Sequence, residues 1–222
     1  MRGFFITGTD TDVGKTFVTT CMLRTLIDKR IRATAYKPVQ SGAQWKEGKW
    51  IAPDVDMYRK IIDITDEEGC TYILKTPCSP HLAAKIDGVT IEPERIVAHM
   101  QKLQQTYDFV LVEGAGGIAV PIVDESFLVA HLAQLLSLPL IIVARASVGT
   151  ISHTVLTVEY AKAFGLQIAG IMMNGFSTPK NEIEQDNIRM IETMTGVPVI
   201  GEIPHMTSVS DSDIVWREEW WQ

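Results

Sequence analysis

The residues from Gly8 to Thr16, GTDTDVGKT, follow directly on the apolar run Phe4, Phe5, Ile6. A short buried strand, a glycine-bearing loop and a Lys-Thr pair opening a helix form the layout of a phosphate-binding loop. Backbone amides in such a loop, together with the helix N-terminus, favour negative charge. Lys15 is expected to reach the terminal phosphates of a nucleotide, and the Thr16 hydroxyl to ligate magnesium. The usual spacing puts four residues between the glycines. Here five separate Gly8 from Gly14, so the loop is a lengthened variant.

Other polar residues fall after apolar runs, and ligands of open parallel sheets bind outside the carboxyl ends of the strands. Glu113 follows Phe109-Val110-Leu111-Val112 and precedes Gly114-Ala115-Gly116-Gly117. A carboxylate at such a strand tip either binds magnesium, as a Walker B acid does, or caps the adjoining loop. The glycines allow backbone to approach a ligand, or simply make a tight turn. Lys37 precedes Pro38, which favours extended backbone. It either stabilises charge on a transferring phosphoryl group or is a solvated surface lysine. Asp54 and Asp56, in PDVDM, supply a second magnesium ligand or a helix N-cap, and spacing does not choose between them. Gln40, Ser41 and Asn174 complete the polar set at strand ends. His81 and His153 have no partner at metal-ligand spacing and are read as structural residues or as supports behind the site, not as ligands. Met172 and Met173 are assigned to the core.

Alternating strands and helices must position these groups. Strands are expected at Phe4–Thr7, Ala33–Tyr36, Phe109–Val112, Leu140–Ala144, Ile168–Met173 and from Val199. Helices are expected over Lys15–Lys29, Pro93–Gln105, Phe127–Leu136, Thr150–Phe164 and Ile183–Thr195. Within Pro93–Gln105, the spacing of Ile96, Val97, Met100 and Leu103 turns them inward. Gly165 and Gly196 stand where helix C-caps belong. Continuous apolar strands between helices imply an α/β fold: a mostly parallel central sheet with helices on both faces. The segment from Ser41 to Pro53 reads as a polar loop with two exposed tryptophans. No repeat or linker divides the 222 residues, so residues 1–222 are read as one domain.

Composition narrows the function classes. Hydrophobic residues make up 46% and charged residues 21%, and the net charge is −7. That balance suits a globular core and argues against a nucleic-acid surface. No apolar run approaches the length of a membrane span. Met1-Arg2 leads straight into the first strand, so no signal peptide is expected. Cys21, Cys70 and Cys78 lack metal or disulfide spacing, which suits a cytoplasmic protein.

Taken in order, GTDTDVGKT, YKPVQSG from Tyr36, PDVD from Pro53, SPHLA from Ser79, VEGAGG from Val112, Asn174 and GEIP from Gly201 closely resemble dethiobiotin synthetases. The resemblance spans nearly the whole chain and implies a P-loop NTPase-like fold. It also implies a reaction. An amine of 7,8-diaminononanoate takes up CO2 to form a carbamate, and ATP phosphorylates the carbamate with Mg2+ present. The second amine then closes a cyclic urea. In that family's terms Lys15, Lys37 and Thr11 serve catalysis. Thr16, Asp54 and Glu113 hold magnesium. ATP is held by Asp12, Val13, Gly14, Lys15, Thr16, Phe17, Asp54, Glu113, Gly114, Ala115, Gly116, Asn174, Gly175, Pro204, His205 and Met206. Ser41 and Asp12 contact the second substrate. Gly149, Thr150, Ile151 and Ser152 hold its carboxylate from a partner subunit, which implies a homodimer.

Three positions depart from the family pattern. Asp12 stands where glutamate is usual, one methylene shorter. Gly175 replaces an aspartate after Asn174. The ending Trp216–Gln222, WREEWWQ, matches no pattern of the family, and the resemblance implies no role for it.

Other readings share the architecture. A MinD- or ParA-like ATPase normally carries an additional lysine near the start of its loop, and Gly8–Val13 has none. A basic amphipathic C-terminal helix is missing as well. An inactive nucleotide-binding regulator is disfavoured by the joint presence of Lys15, Thr16, Lys37 and Glu113. An amide-forming synthetase of the cobyrinate type needs a glutaminase domain, for which the chain has no length.

Overall fold

The computed structural model describes residues 2–206, 209, 214–217 and 219–221. In chain order the elements are β1 (Arg2–Gly8), α1 (Lys15–Asp28), β2 (Ala33–Gln40), β3 (Gln44–Lys46), β4 (Lys49–Ile51), α2 (Pro53–Tyr58), α3 (Asp66–Gly69), β5 (Cys70–Ile73) and α4 (Pro80–Asp87). There follow α5 (Pro93–Thr106), β6 (Phe109–Gly117), α6 (Val129–Leu136), β7 (Leu140–Arg145), α7 (Thr150–Ala163), β8 (Ile168–Phe176), α8 (Glu182–Thr195), β9 (Val199–Pro204) and β10 (Val215–Trp216).

Eight strands form one sheet in the order β10-β9-β8-β7-β1-β6-β2-β5. All neighbours pair in parallel except β10, which runs antiparallel to β9. Successive side chains along a strand point to opposite faces, and the core divides accordingly. Ile6, Ala35, Leu111 and Val143 meet Val18, Met22 and Leu26 of α1 on one face. Phe5, Tyr36, Val110 and Val112 meet Ile96 and Met100 of α5 and Leu132 of α6 on the other. Ile142 and Ala144 extend that second face beneath Val158 of α7 and Ile191 of α8. Met172 and Met173 are fully buried strand core. Among the described residues, no helix is long and apolar enough to cross a membrane.

Several expected boundaries move. β2 continues through Lys37 and Pro38 to Gln40. Its pairing with β6 ends at Tyr36–Val112, and its pairing with β5 begins at Lys37–Cys70. Pro38 thus sits where the strand changes partner, a place that tolerates a missing N–H. Glu113 and Asn174 also lie inside longer strands, because β6 and β8 keep pairing past them. α6 begins at Val129, since Leu128 bridges to Pro121. Val97 is half-buried rather than inward.

The segment after Ser41 is not a loop. β3 and β4 pair across Glu47 and Gly48, both at positive φ (50° and 81°), as a tight hairpin turn requires. Trp45 and Trp50 face each other across it with ring centroids 5.3 Å apart, and Trp45 is 59% exposed. At the C-terminal end, Trp220 packs edge-on against Phe4 and Phe109, and Trp216 and Trp221 pack against Trp220. Lys29 lies 4.4 Å over the Trp221 ring. Residues 218 and 222 of this ending lie outside the described residues.

Candidate active site

β1 delivers the chain to the loop and α1 leaves it at Lys15. Between them Asp12 (φ 56°) and Gly14 (φ 91°) take left-handed backbone. Gly14 has a second constraint: a Cβ there would stand 2.1 Å from Asn174 Nδ2. That same amide donates to the Val13 carbonyl at 3.0 Å, tying β8 to the loop. Arg145, at the end of β7, donates to Asp10 Oδ2 and to the Thr11 carbonyl, both at 3.1 Å. Lys15 Nζ folds back to the Asp10 carbonyl at 2.9 Å.

A cleft of about 490 Å³ opens beside this loop. Its walls carry Thr11, Asp12, Gly14, Lys15, Thr16 and Phe17 from the loop and α1, and Lys37, Gln40 and Ser41 from β2 and its end. Asp54 and Met57 come from α2, and Glu113, Ala115 and Gly116 from β6.

At its floor is a buried charge cluster. Lys37 Nζ lies 2.6 Å from Asp54 Oδ2 and 2.8 Å from Glu113 Oε1, and it donates to the Gly114 carbonyl at 3.1 Å. Thr16 Oγ1 donates to the same Glu113 Oε1 at 2.8 Å. Glu113 is fully buried and Lys37 nearly so. Burial alone would depress the Lys37 ammonium, but Asp54 and Glu113 outweigh it and hold its pKa above the ordinary lysine value. Among the described residues, no carboxylate lies in contact with Lys15. Burial, helped by the nearby Lys37 charge, lowers it to about 8.

The cluster also tests the fit of a divalent cation. An ammonium already bridges Asp54 and Glu113, and Thr16 points its oxygen at the same carboxylate. Two carboxylates and a hydroxyl make an all-oxygen donor set. Magnesium takes such hard ligands, commonly one or two carboxylates with substrate phosphates.

Of the two readings for Asp54, the helix cap is not the one seen. It is the second residue of α2, whose N-cap is Ala52; the Asp54 carboxylate goes to Lys37, while the Asp54 N–H donates to Gln40 Oε1 at 3.1 Å. Asp56 turns away to Arg59 and Lys46.

A model for an AAA domain matches residues 2–213. An ATP-dependent dethiobiotin synthetase BioD of Anoxybacillus flavithermus is 86% identical over 222 residues, covering all of both chains. The chain belongs to the dethiobiotin synthetase family. It is therefore an ATP-dependent ligase that forms carbon–nitrogen bonds. Relatives of the same name are 42% identical in Halalkalibacterium halodurans (94% of this chain, 87% of the relative) and 39% in Bacillus subtilis (97% and 92%).

Solved structures with the same architecture include a ParA family ATPase from Chlorobium tepidum, with TM-score 0.57 and 15% identity, covering 93% of this chain and 85% of that one. The septum site-determining protein MinD from Pyrococcus horikoshii, complexed with Mg-ADP, also has TM-score 0.57, at 18% identity, covering 91% and 81%. At such identities the likeness is one of fold. The synthetase thus shares its sheet with the ATPases that formed the main competing reading, while its sequence relatives are synthetases.

Other expected site residues lie off the cleft walls. Val13 is buried in the core and its carbonyl accepts from Asn174 Nδ2, while the Gly114 carbonyl accepts from Lys37. Gly175 (φ 88°) follows Asn174 at the end of β8. Pro204 pairs with Phe176, and the His205 N–H donates to the Phe176 carbonyl at 2.8 Å, with Met206 following. Gly149 (φ 93°) caps α7, where Thr150 is buried, Ile151 half-buried and Ser152 exposed. His81 Nδ1 is buried with no hydrogen-bond partner among the described residues, and His153 is exposed on α7. Burial pushes the Cys21 and Cys70 thiols up to about 12.

Sequence reasoning missed Tyr58, whose hydroxyl donates to Glu113 Oε2 at 2.6 Å. The available signal was its spacing of four from Asp54, which shares a face only if the segment is helical. It also missed the Arg145 clasp on the loop, which depends on β7 and β1 being neighbours.

Proposed function

We propose that this cleft carries out the whole ring closure of 7,8-diaminononanoate with CO2 and ATP. The observation that carries the proposal is the Lys37 ammonium held between Asp54 and Glu113 beside the phosphate loop. That arrangement puts a fixed positive charge next to Lys15 and Thr16, where a γ-phosphate would lie.

The steps balance simply. One amine adds to CO2, loses a proton and becomes a carbamate. A carbamate oxygen displaces ADP from the γ-phosphorus, giving a carbamic–phosphoric anhydride. The second amine attacks the anhydride carbon and gives up a proton, and phosphate leaves with the bridging oxygen. The product is a cyclic urea.

Each residue has a part in this. Lys15 and Lys37 flank the transferred phosphoryl group and offset its charge. Thr11 and Ser41 hydrogen-bond the carbamate or its nitrogens, which holds an oxygen in line with the γ-phosphorus. Asp12 contacts an amine from the loop. Thr16, Asp54 and Glu113 would hold Mg2+, which when bound neutralises charge on the β- and γ-phosphates. Asn174, Gly175 and Pro204–Met206 receive the base and ribose.

In the same reading the chain works as one domain and as a homodimer. Gly149–Ser152 of one copy hold the substrate carboxylate of the other, since helix N-termini favour carboxylates. These residues are absent from the cleft of their own chain. Exposed Val148 (87%) and Leu156 (66%) flank them and offer an apolar face.

Bicarbonate labelled with 18O, used over short reaction times, tests the sequence of steps. The proposal expects one labelled oxygen in the released phosphate and one in the ring carbonyl. Unlabelled phosphate alongside labelled ring would contradict carbamate phosphorylation.

A further inference from the structure

Glu113 has two buried oxygens, and each has its own partners. Oε1 receives Thr16 Oγ1 and Lys37 Nζ, both at 2.8 Å. Oε2 receives the Tyr58 hydroxyl at 2.6 Å. Tyr58 and Glu113 are both fully buried, so water cannot replace this bond. A hydroxyl donating to a carboxylate forms a short, strong hydrogen bond and fixes the plane of the acid. Tyr58 is also a helical turn beyond Asp54, and α2 carries both. One short helix therefore presents one acid to Lys37 and orients the other from behind.

We infer that Tyr58 is a positioning residue for the metal site: its hydroxyl locks Glu113 with Oε1 turned toward Thr16 and Lys37. Partners that orient a metal-binding carboxylate from outside typically account for 10–100-fold in metal affinity or activity. The inference rests on the reading of Glu113 as a metal acid, and it assigns the work of aiming that acid to a residue which does not touch substrate.

The test is Mn2+ binding in the presence of ADP, read from the loss of the free-ion electron paramagnetic resonance signal. Tyr58→Phe keeps the ring and removes only the hydroxyl. Tyr58→Met removes the hydroxyl with different packing. Both are expected to weaken Mn2+ binding about 10-fold or more, while ADP binding without metal stays within twofold of the parent. Glu113→Gln, run in parallel, is expected to weaken Mn2+ at least as much. Unchanged Mn2+ affinity in both folded Tyr58 variants, with Glu113→Gln defective, would overturn the positioning role alone. Unchanged affinity in all three would overturn the metal reading of Glu113 and the inference with it. A lowered melting temperature with no change in Mn2+ affinity would make Tyr58 a packing residue only and would likewise overturn the inference.

Discussion

Lys37 Nζ lies 2.8 Å from Glu113 Oε1, deep in the sheet and 76 residues away in sequence. The contact exists because β2 and β6 are neighbours whose pairing ends just before these two residues, at Tyr36–Val112. A buried lysine is ordinarily driven toward its neutral form. Here Glu113 and Asp54 keep it charged. The cleft therefore holds a permanent cation whose position is fixed by two acids rather than by solvent.

Lys37→Ala removes that cation and leaves two carboxylates facing each other. Turnover is expected to fall by about 100-fold or more, the range seen when one preorganised electrostatic group is removed. ATP affinity should change far less, because the loop amides, Lys15 and Thr16 remain. Steady-state kinetics with equilibrium nucleotide binding measures both. Equal losses in turnover and affinity would make Lys37 a binding residue only.

Lys15 gives a pH signature. Its pKa in the cleft is about 8, against 10.5 for an ordinary lysine. At pH 9 most of it is neutral, and a bound polyphosphate draws a proton back onto it. ADP binding at that pH is therefore expected to take up protons, and uptake should fade below about 8. Unfolding has the same sign: the unfolded chain holds more protons between about 8 and 10.5, so this group's contribution to stability rises with pH across that window. Calorimetry in two buffers of different ionisation enthalpy reads the uptake. Buffer-independent heats at pH 9 would contradict the depressed lysine.

Trp220 belongs to a different part of the molecule. It packs on Phe4 and Phe109, near the starts of β1 and β6, at the sheet end opposite the cleft. Trp220→Ala should destabilise the fold by about 1–2 kcal/mol, less than the 3–5 typical of a fully buried aromatic, and leave kcat/KM unchanged. Activity lost at an unchanged melting temperature would tie the tail to catalysis instead.

The legible parts of the sequence were those where one short signal carries its own context. Lys15 and Thr16 follow a glycine loop, and Glu113 follows four apolar residues, so each advertises a strand end. Lys37 was visible through Pro38, though the strand runs further because it changes neighbours at that point. The hairpin was hidden because its turn is Glu47-Gly48, not the Asn-Gly or Asp-Gly pair that marks such turns. Tyr58 was hidden because α2 has six residues, too few for a periodic pattern. The partnership of Arg145 with Asp10 spans 135 residues and required the strand order.

The most direct test of the account is incubation of the purified protein with 7,8-diaminononanoate, labelled bicarbonate, Mg2+ and ATP, with the products read by mass. The account predicts a cyclic urea carrying the label, with one ADP and one phosphate formed per ring. A well-folded protein that hydrolyses ATP, or leaves it intact, without forming any labelled ring would contradict it.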